Sequence, residues 1–222
     1  MSPVRFDPSS TTRLDFPRVD ADDVAKARIL SSSTLHEAAG KIGALPSAIQ
    51  SVFPGAAVCG PAVTVDSPGA DNLWLHRAIY AAKPGDVLVV RVAGQYEYGY
   101  WGEIMATAAR KRRLGGLVID GCVRDRNALE AIGFPVFARG LCIRGTGKDF
   151  QARGWINAPL LMGGLVIHPG DLIVGDVDGV VCVPREKVKD TLRMAATRDA
   201  DESKILKRIE AGETTLDIYG WA

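Results

Sequence analysis

Gly115-Gly-Leu-Val-Ile-Asp-Gly-Cys-Val-Arg-Asp125 is the stretch on which the reading of this chain turns. Leu117-Val-Ile119 is continuously apolar and too short for a helix, as a strand covered on both faces should be. Upstream, the loop Gly94 to Gly102 opens a helix from Glu103 to Arg113, with Ile104, Met105, Ala108 and Ala109 marking its buried face. Before that loop, Lys-Pro-Gly-Asp86 gives a tight turn into Val87-Leu-Val-Val-Arg-Val92. Strand, helix and strand in that order make a βαβ-like unit, and Arg124-Asp125 falls just past its second strand. Glu103, at the start of the helix, and Arg124-Asp125 are thus two acids and one Arg at neighbouring loop ends.

The spacing of Leu73, His76, Ile79 and Tyr80 predicts a helix over Asp71 to Ala82. Ala57 to Val65 reads as a strand interrupted near Gly60-Pro61. Residues 1 to 20 form an arm, and residues 21 to 222 one domain. From Asp22 to residue 40 the chain is mostly helical, with Thr34-Leu-His-Glu37 as a capping box. A short helix over Asn127 to Ile132 precedes Phe134-Pro-Val-Phe137. Strands at Leu165-Val-Ile167, Leu172-Ile-Val174 and Val180-Val-Cys-Val183 lead to a long charged helix from Glu186 to about Ala211. On it Arg198 to Ser203 is polar all round, as a segment facing solvent or a neighbouring subunit is.

At 222 residues the chain is one domain with room for a substantial core. Its 27 basic and 26 acidic side chains provide no field for nucleic acid. No apolar stretch is long enough to span a membrane, and Met-Ser-Pro-Val-Arg-Phe-Asp-Pro8 has no apolar signal region, so a cytoplasmic protein is expected. Cys59, Cys122, Cys142 and Cys182 lie far apart without a C-x-x-C pair and read as buried thiols. His36, His76 and His168 are in no metal-ligand spacing.

Three residues carry candidate chemistry. Arg124 offers a planar pair of donors for a carboxylate or keto group; the plain reading is an ion pair with Asp125 or Asp120. Asp125 can give one oxygen to a hard cation or cap the following helix, and the two roles are compatible. A sparse ligand set of this kind suits magnesium. Glu103 complements the helix dipole, or orients a water; the free amides at its helix start, preceded by Gly99-Tyr-Trp-Gly102, form an anion site that suits an α-keto carboxylate.

Trp101-Gly-Glu-Ile-Met-Ala, Leu117-Val-Ile-Asp-Gly-Cys-Val-Arg-Asp125, Gly133-Phe-Pro-Val-Phe-Ala-Arg139, Asn157-Ala-Pro, His168-Pro-Gly-Asp171, Gly175-Asp-Val-Asp-Gly-Val180 and Thr215-Leu-Asp-Ile-Tyr219 occur in this order. Together they resemble the RraA-like family, and within it the 4-hydroxy-4-methyl-2-oxoglutarate / 4-carboxy-4-hydroxy-2-oxoadipate aldolases, which are class II pyruvate aldolases. The resemblance implies an α/β sandwich of the swivelling β/β/α type, with N-terminal helices and a long C-terminal helix. It also implies a homotrimer or hexamer with sites between subunits.

By the same resemblance Asp125 binds Mg2+ or Mn2+, and Arg124 contacts an oxo-acid substrate. The amides that follow Gly102, those of Ile104 and Met105, hold its carboxylate. Glu103 replaces the Asp usual in these aldolases. Glu202 on the C-terminal helix, with Asp201 next to it, matches the acid that a neighbour contributes. The implied reaction is metal-dependent cleavage of a 4-hydroxy-2-oxo diacid through a pyruvate enolate. In it Arg124 neutralises charge, while a water oriented by Glu103 and Glu202 takes the C4 hydroxyl proton. Oxaloacetate decarboxylation, which forms the same enolate, is expected alongside, and degradation of aromatic acids is implied by family analogy. Arg139, Arg144 and Lys148 are candidates for a distal carboxylate. The alternatives are a non-catalytic, protein-binding regulator of the RraA kind, or a lyase for another hydroxy-oxo acid.

Overall fold

In a computed structural model, which describes residues 7–222, the apolar run becomes strand β4 (Gly116–Val123), buried along almost its whole length. It extends past Ile119 because Asp120, buried at the strand's polar end, is neutralised by Arg139 from the next strand. Four strands run parallel: β2 (Val58–Asp66), β3 (Val87–Arg91), β4 and β5 (Val136–Leu141). Helices α3 (Leu73–Ala81), α4 (Glu103–Lys111) and α5 (Arg126–Ile132) connect them in turn, so the C-terminal strand ends and the α4 start converge on one edge. A short β1 (Gln50–Ser51) pairs antiparallel with β5.

The other half of the sheet is antiparallel. β9 (Leu172–Asp176) and β10 (Gly179–Val183) form a hairpin on β2, and β6 (Trp155–Ile156) pairs with the end of β2. β7 (Leu160–Met162) and β8 (Leu165–Ile167) form a separate hairpin. The expected break at Gly60-Pro61 is instead a change of partner within a continuous strand. Val58 to Pro61 face β9, and Ala62 to Asp66 face β3. Pro61 has no N–H to give, and the switch point is where a missing donor disrupts neither ladder. Gly60 is required there, because a Cβ would overlap the Gly85 carbonyl oxygen.

The N-terminal region is less helical than the spacing predicts: α1 (Ala21–Ala27) and α2 (Ser32–Ala38) are two short helices with loops around them. Thr34 and Glu37 do not form the capping box. Ser31 is the cap, its hydroxyl accepting from Thr34 N at 3.0 Å, while Glu37 lies within salt-bridge reach of Lys41 and Arg198. The described part of the arm lies against the body, with Arg13 N donating to Ile156 O and Val19 N to Gly170 O. Residues 1–6, which include most of the stretch read for a signal region, are outside the described residues. None of the described helices is long and apolar enough to cross a membrane.

One apolar core covers the central sheet, with Trp74, Trp101, Tyr100, Phe134 and Phe137 as its largest members. A second lies between β9–β10 and α1, α2 and α6 (Val188–Glu210), built on Leu35, Leu172, Val181 and Leu192. No residue of α6 is buried beyond Ala195, so its polar second half and the short α7 (Thr215–Tyr219) stand off the body. This is the α/β, β/β/α-layered sandwich expected, with its long C-terminal helix.

Burial in this fold has a titration consequence. Cys59 is 5% exposed and its thiol is pushed up to about 11, by desolvation first, from an ordinary value of 9.0. Between those values the folded chain holds a proton that the unfolded chain has lost, so stability falls as pH rises through 9 to 11. A shift of this size corresponds to about 2–3 kcal/mol. Urea midpoints at pH 8 and pH 10.5 should therefore drop less in Cys59→Ala than in the native chain. An equal drop in both would remove Cys59 as the cause.

Candidate active site

The end of β4 carries an irregularity: the register with β5 shifts between Ile119 and Cys122. Such a bulge turns the strand and redirects the residues that follow. Asp120 sits inside it, accepting from Arg139 Nε at 2.5 Å, and Arg139 also lies under the Tyr96 ring, 3.9 Å from its centroid. The Tyr96 carbonyl takes the Cys122 amide at 2.9 Å, so the loop before α4 is pinned to the bulge from both sides. Arg124 N then donates to Trp101 O at 2.9 Å, which fixes the Arg-Asp pair beside the start of α4.

Asp125 is in the left-handed region, at φ 62°, in the N-cap position of α5. Its carboxylate makes no capping bond to α5. It reaches across to the neighbouring helix, where Oδ2 accepts from Glu103 N at 3.1 Å. The structural role considered for it, capping its own helix, is therefore absent, and an acid at the dipole of a different helix takes its place. A non-Gly residue held at positive φ is uncommon, and here the strain accompanies a redirected carboxylate.

Arg124 and Asp125 lie side by side, Nε to Oδ2 at 3.7 Å, both about half exposed. A pair this open contributes at most about 1 kcal/mol to stability, so folding alone does not account for it. Asp120, the other acid considered as a partner for Arg124, is taken by Arg139.

The chain is shaped to admit these two side chains. A Cβ on Gly102 would overlap Asp125 Oδ2 and press on Arg124 Cγ; one on Gly99 would meet the Cys142 carbonyl and lie within 3.2 Å of Arg124 Cβ and Cδ. Gly102 therefore serves as space for a carboxylate, beyond its part in opening the helix. Glu103 is exposed at the first position of α4. Among the described residues no acceptor meets the amides of Ile104 and Met105, which leaves them as free donors at a helix start. Met105 is buried as expected, but Ile104 is 78% exposed and does not belong to the buried face.

A cavity of about 360 Å³ adjoins this group, lined by Arg124, Asp125, Leu141, Cys142 and Ile143. Sequence reasoning missed its wall, residues 141 to 143. The one signal was an apolar pair, Leu141 and Ile143, inside a polar Gly-rich stretch. The three cations considered for a distal carboxylate do not line it. Arg139 is held by Asp120 and Tyr96, Arg144 lies 5.2 Å from the Tyr98 ring, and Lys148 is close enough to His76 to help depress its pKa, behind burial. Glu202 lies elsewhere in the same chain, in a cavity with Asp201, Ile205 and Tyr219, paired to Arg198 at 2.8 Å. None of His36, His76 and His168 lines the Arg124 cavity.

The residues present fit one kind of cation. Asp125 Oδ1 has no hydrogen-bond partner among the described residues, so one carboxylate oxygen is available. No group of three or more His, Cys, Asp or Glu suited to a metal occurs among the described residues. A single carboxylate suits Mg2+ or Mn2+, which keep several waters, better than zinc, which takes three or four protein ligands.

Comparison with known proteins agrees with this architecture. The family model RraA-like, described as Aldolase/RraA, matches residues 20–182. A protein of Halalkalibacterium halodurans named "Putative 4-hydroxy-4-methyl-2-oxoglutarate aldolase" is 35% identical over 202 residues, which is 91% of this chain and 95% of that protein. An uncharacterised protein from Pseudomonas syringae superposes with a TM-score of 0.79 at 28% identity, covering 90% of this chain and 93% of the other. Streptomyces coelicolor RraAS2, described as an unusual member of the RNase ES inhibitor RraA protein family, superposes with a TM-score of 0.72 at 27% identity, over 87% and 100% of the two chains. With the fold, the ordered motifs and a family match over most of its length in agreement, the chain belongs to the RraA-like (Aldolase/RraA) family.

Proposed function

We propose that this chain is a carbon–carbon lyase that cleaves a 4-hydroxy-2-oxo diacid, 4-hydroxy-4-methyl-2-oxoglutarate or 4-carboxy-4-hydroxy-2-oxoadipate, to release pyruvate. The observation that carries the reading is the reach of Asp125 across to Glu103 N beside Arg124, in space left by Gly102. A cation-binding carboxylate, a guanidinium and free helix amides then converge on one open edge. The aldolase name of the Halalkalibacterium relative supports the same chemistry.

Each group has a task in the retro-aldol step. The free amides of Ile104 and Met105 hold the C1 carboxylate, and the helix dipole favours an anion there. Asp125 would hold Mg2+ or Mn2+, and the cation would supply Lewis-acid chemistry to the keto acid. Arg124 places its donors where negative charge grows on the 2-keto oxygen. Glu103 and the partner subunit's Glu202, in a trimer or hexamer, hold the water that accepts the C4 hydroxyl proton. The C3–C4 bond pair moves to C3 as the C4 oxygen becomes a carbonyl, and protonation at C3 completes pyruvate. Oxaloacetate reaches the same enolate by losing CO2, so decarboxylation accompanies cleavage.

The test is pyruvate release from oxaloacetate and from each diacid, with Mg2+ or with EDTA, beside Arg124→Ala to subtract background decarboxylation. Release that needs both the cation and Arg124 is expected. Release equal in the native chain and the variant would overturn the lyase reading and favour a protein-binding role like that of the RNase ES inhibitor family to which Streptomyces coelicolor RraAS2 belongs.

A further inference from the structure

Arg139 does not line the Arg124 cavity, yet the strand irregularity that aims Arg124 and Asp125 is built around it. We infer that Arg139 is a positioning residue: its ion pair with Asp120 holds the β4 bulge, and through the bulge it keeps Arg124 and Asp125 in working position. The catalytic consequence rests on the lyase reading above; the structural one does not.

In the register of β4 on β5, Ile119 pairs with Ala138 and Cys122 with Gly140. Two residues of β4, Asp120 and Gly121, therefore stand opposite one of β5, Arg139. Side chains alternate between faces along a strand, so the extra residue reverses the alternation of everything after it relative to β5. In a regular register Arg124 and Asp125 would be displaced by one residue and turned to the other face. Gly121 has no room for a side chain, since a Cβ would lie 2.9 Å from Val92 Cγ2 and 3.2 Å from Tyr100 Cδ2. The side-chain link across the bulge falls to Asp120 and Arg139.

The charges on the sheet leave Asp120 with one partner. Asp66, Arg91 and Asp120 are lateral neighbours on β2, β3 and β4. Arg91 is taken by Asp66 through two bonds, Nε to Oδ1 at 3.0 Å and Nη2 to Oδ2 at 2.5 Å. Asp120, 6% exposed, is left with Arg139, its sole salt-bridge partner among the described residues. Parting the two would leave an uncompensated buried charge, which keeps Arg139 in place. On its other side Arg139 meets the Tyr96 ring, and the main-chain carbonyl of Tyr96 accepts from Cys122 N. From there backbone bonds run to the site: Tyr100 N to Cys122 O at 3.1 Å, then Arg124 N to Trp101 O, and last Glu103 N to Asp125 Oδ2.

The test uses Arg139→Met, which keeps an apolar stem against Tyr96 and removes the charge, and the double variant Asp120→Asn/Arg139→Met. Arg139→Met strands a buried carboxylate and should lower the urea midpoint; the double variant, with no buried charge, should recover most of that loss. The site should not recover with it. In the double variant the Cys122 and Arg124 amides are expected to exchange with D2O about tenfold faster or more, while the β3 amides keep their native rates. Mn2+ affinity should fall about tenfold or more, as when a metal ligand loses its support. For pyruvate release kcat should fall by about the same factor, with KM changing less. Native exchange rates and native Mn2+ affinity in a stable double variant would overturn the inference and leave the pair a contributor to stability alone. A rise confined to KM would overturn it too, because that marks an Arg that binds the substrate's far carboxylate. If the native chain releases no more pyruvate than Arg124→Ala, the lyase reading fails, and the amide exchange rates still decide whether Arg139 positions residues 122 to 125.

Discussion

Arg124→Ala is expected to lower kcat for pyruvate release by about 10²–10³-fold, the usual cost of removing one donor aimed at an oxygen that becomes charged. The fold should tolerate the change. The side chain is about half exposed, and its ion pair with Asp125 is an open one at 3.7 Å. The contact that positions residue 124, its amide on Trp101 O, belongs to the backbone and remains. Urea unfolding should therefore shift by no more than about 0.5 kcal/mol while turnover collapses. KM is a second readout. If Arg124 bound substrate and transition state equally, KM would rise with kcat unchanged, and that result would remove it from the charge-neutralising role.

Gly102→Ala has the second large effect, and it acts on Asp125. The backbone there is extended, φ −158°, so alanine is not strained by its dihedral angles. The added methyl instead overlaps Asp125 Oδ2, and the carboxylate must leave Glu103 N. That bond contributes about 1 kcal/mol at most at this open position, because water replaces the lost partner. The consequence falls on the ligand: with Asp125 turned away, Mn2+ affinity is expected to fall about 10–100-fold, as when groups orienting a metal ligand are removed. Titration with Mn2+ and thermal unfolding of the same variant separate the two effects. Weak cation binding with a near-native melting temperature supports the role; native affinity and turnover would show that Gly102 only opens a helix.

Leu117-Val-Ile119 with its flanking glycines identified the central strand, because a short run apolar on both faces has few other places to go. The acid at residue 103 and the Arg-Asp pair at 124 and 125 stood out for a related reason: helix starts and strand ends in an α/β sheet point to one edge. The continuity of β2 was missed since Pro61 breaks a ladder only where a donor is needed, and that depends on which strand lies opposite. Thr34 and Glu37 had the spacing of a capping box, yet Ser31 three residues earlier takes the Thr34 amide and begins the helix sooner. Ile104 fitted an apolar period that packing did not use.

The sequence by itself determined the strands and helices of the central unit, the family, and which residue types stand at the α4 and β4 ends, because periodicity and turn chemistry act between residues near in the chain. Only the tertiary structure decided where Asp125 points, that Arg139 is held by Asp120 and Tyr96, and that Leu141 and Ile143 wall the cavity. Those outcomes depend on contacts between segments about 15 to 45 residues apart in the chain, brought together by the register shift of β4 on β5, and no local pattern encodes that register.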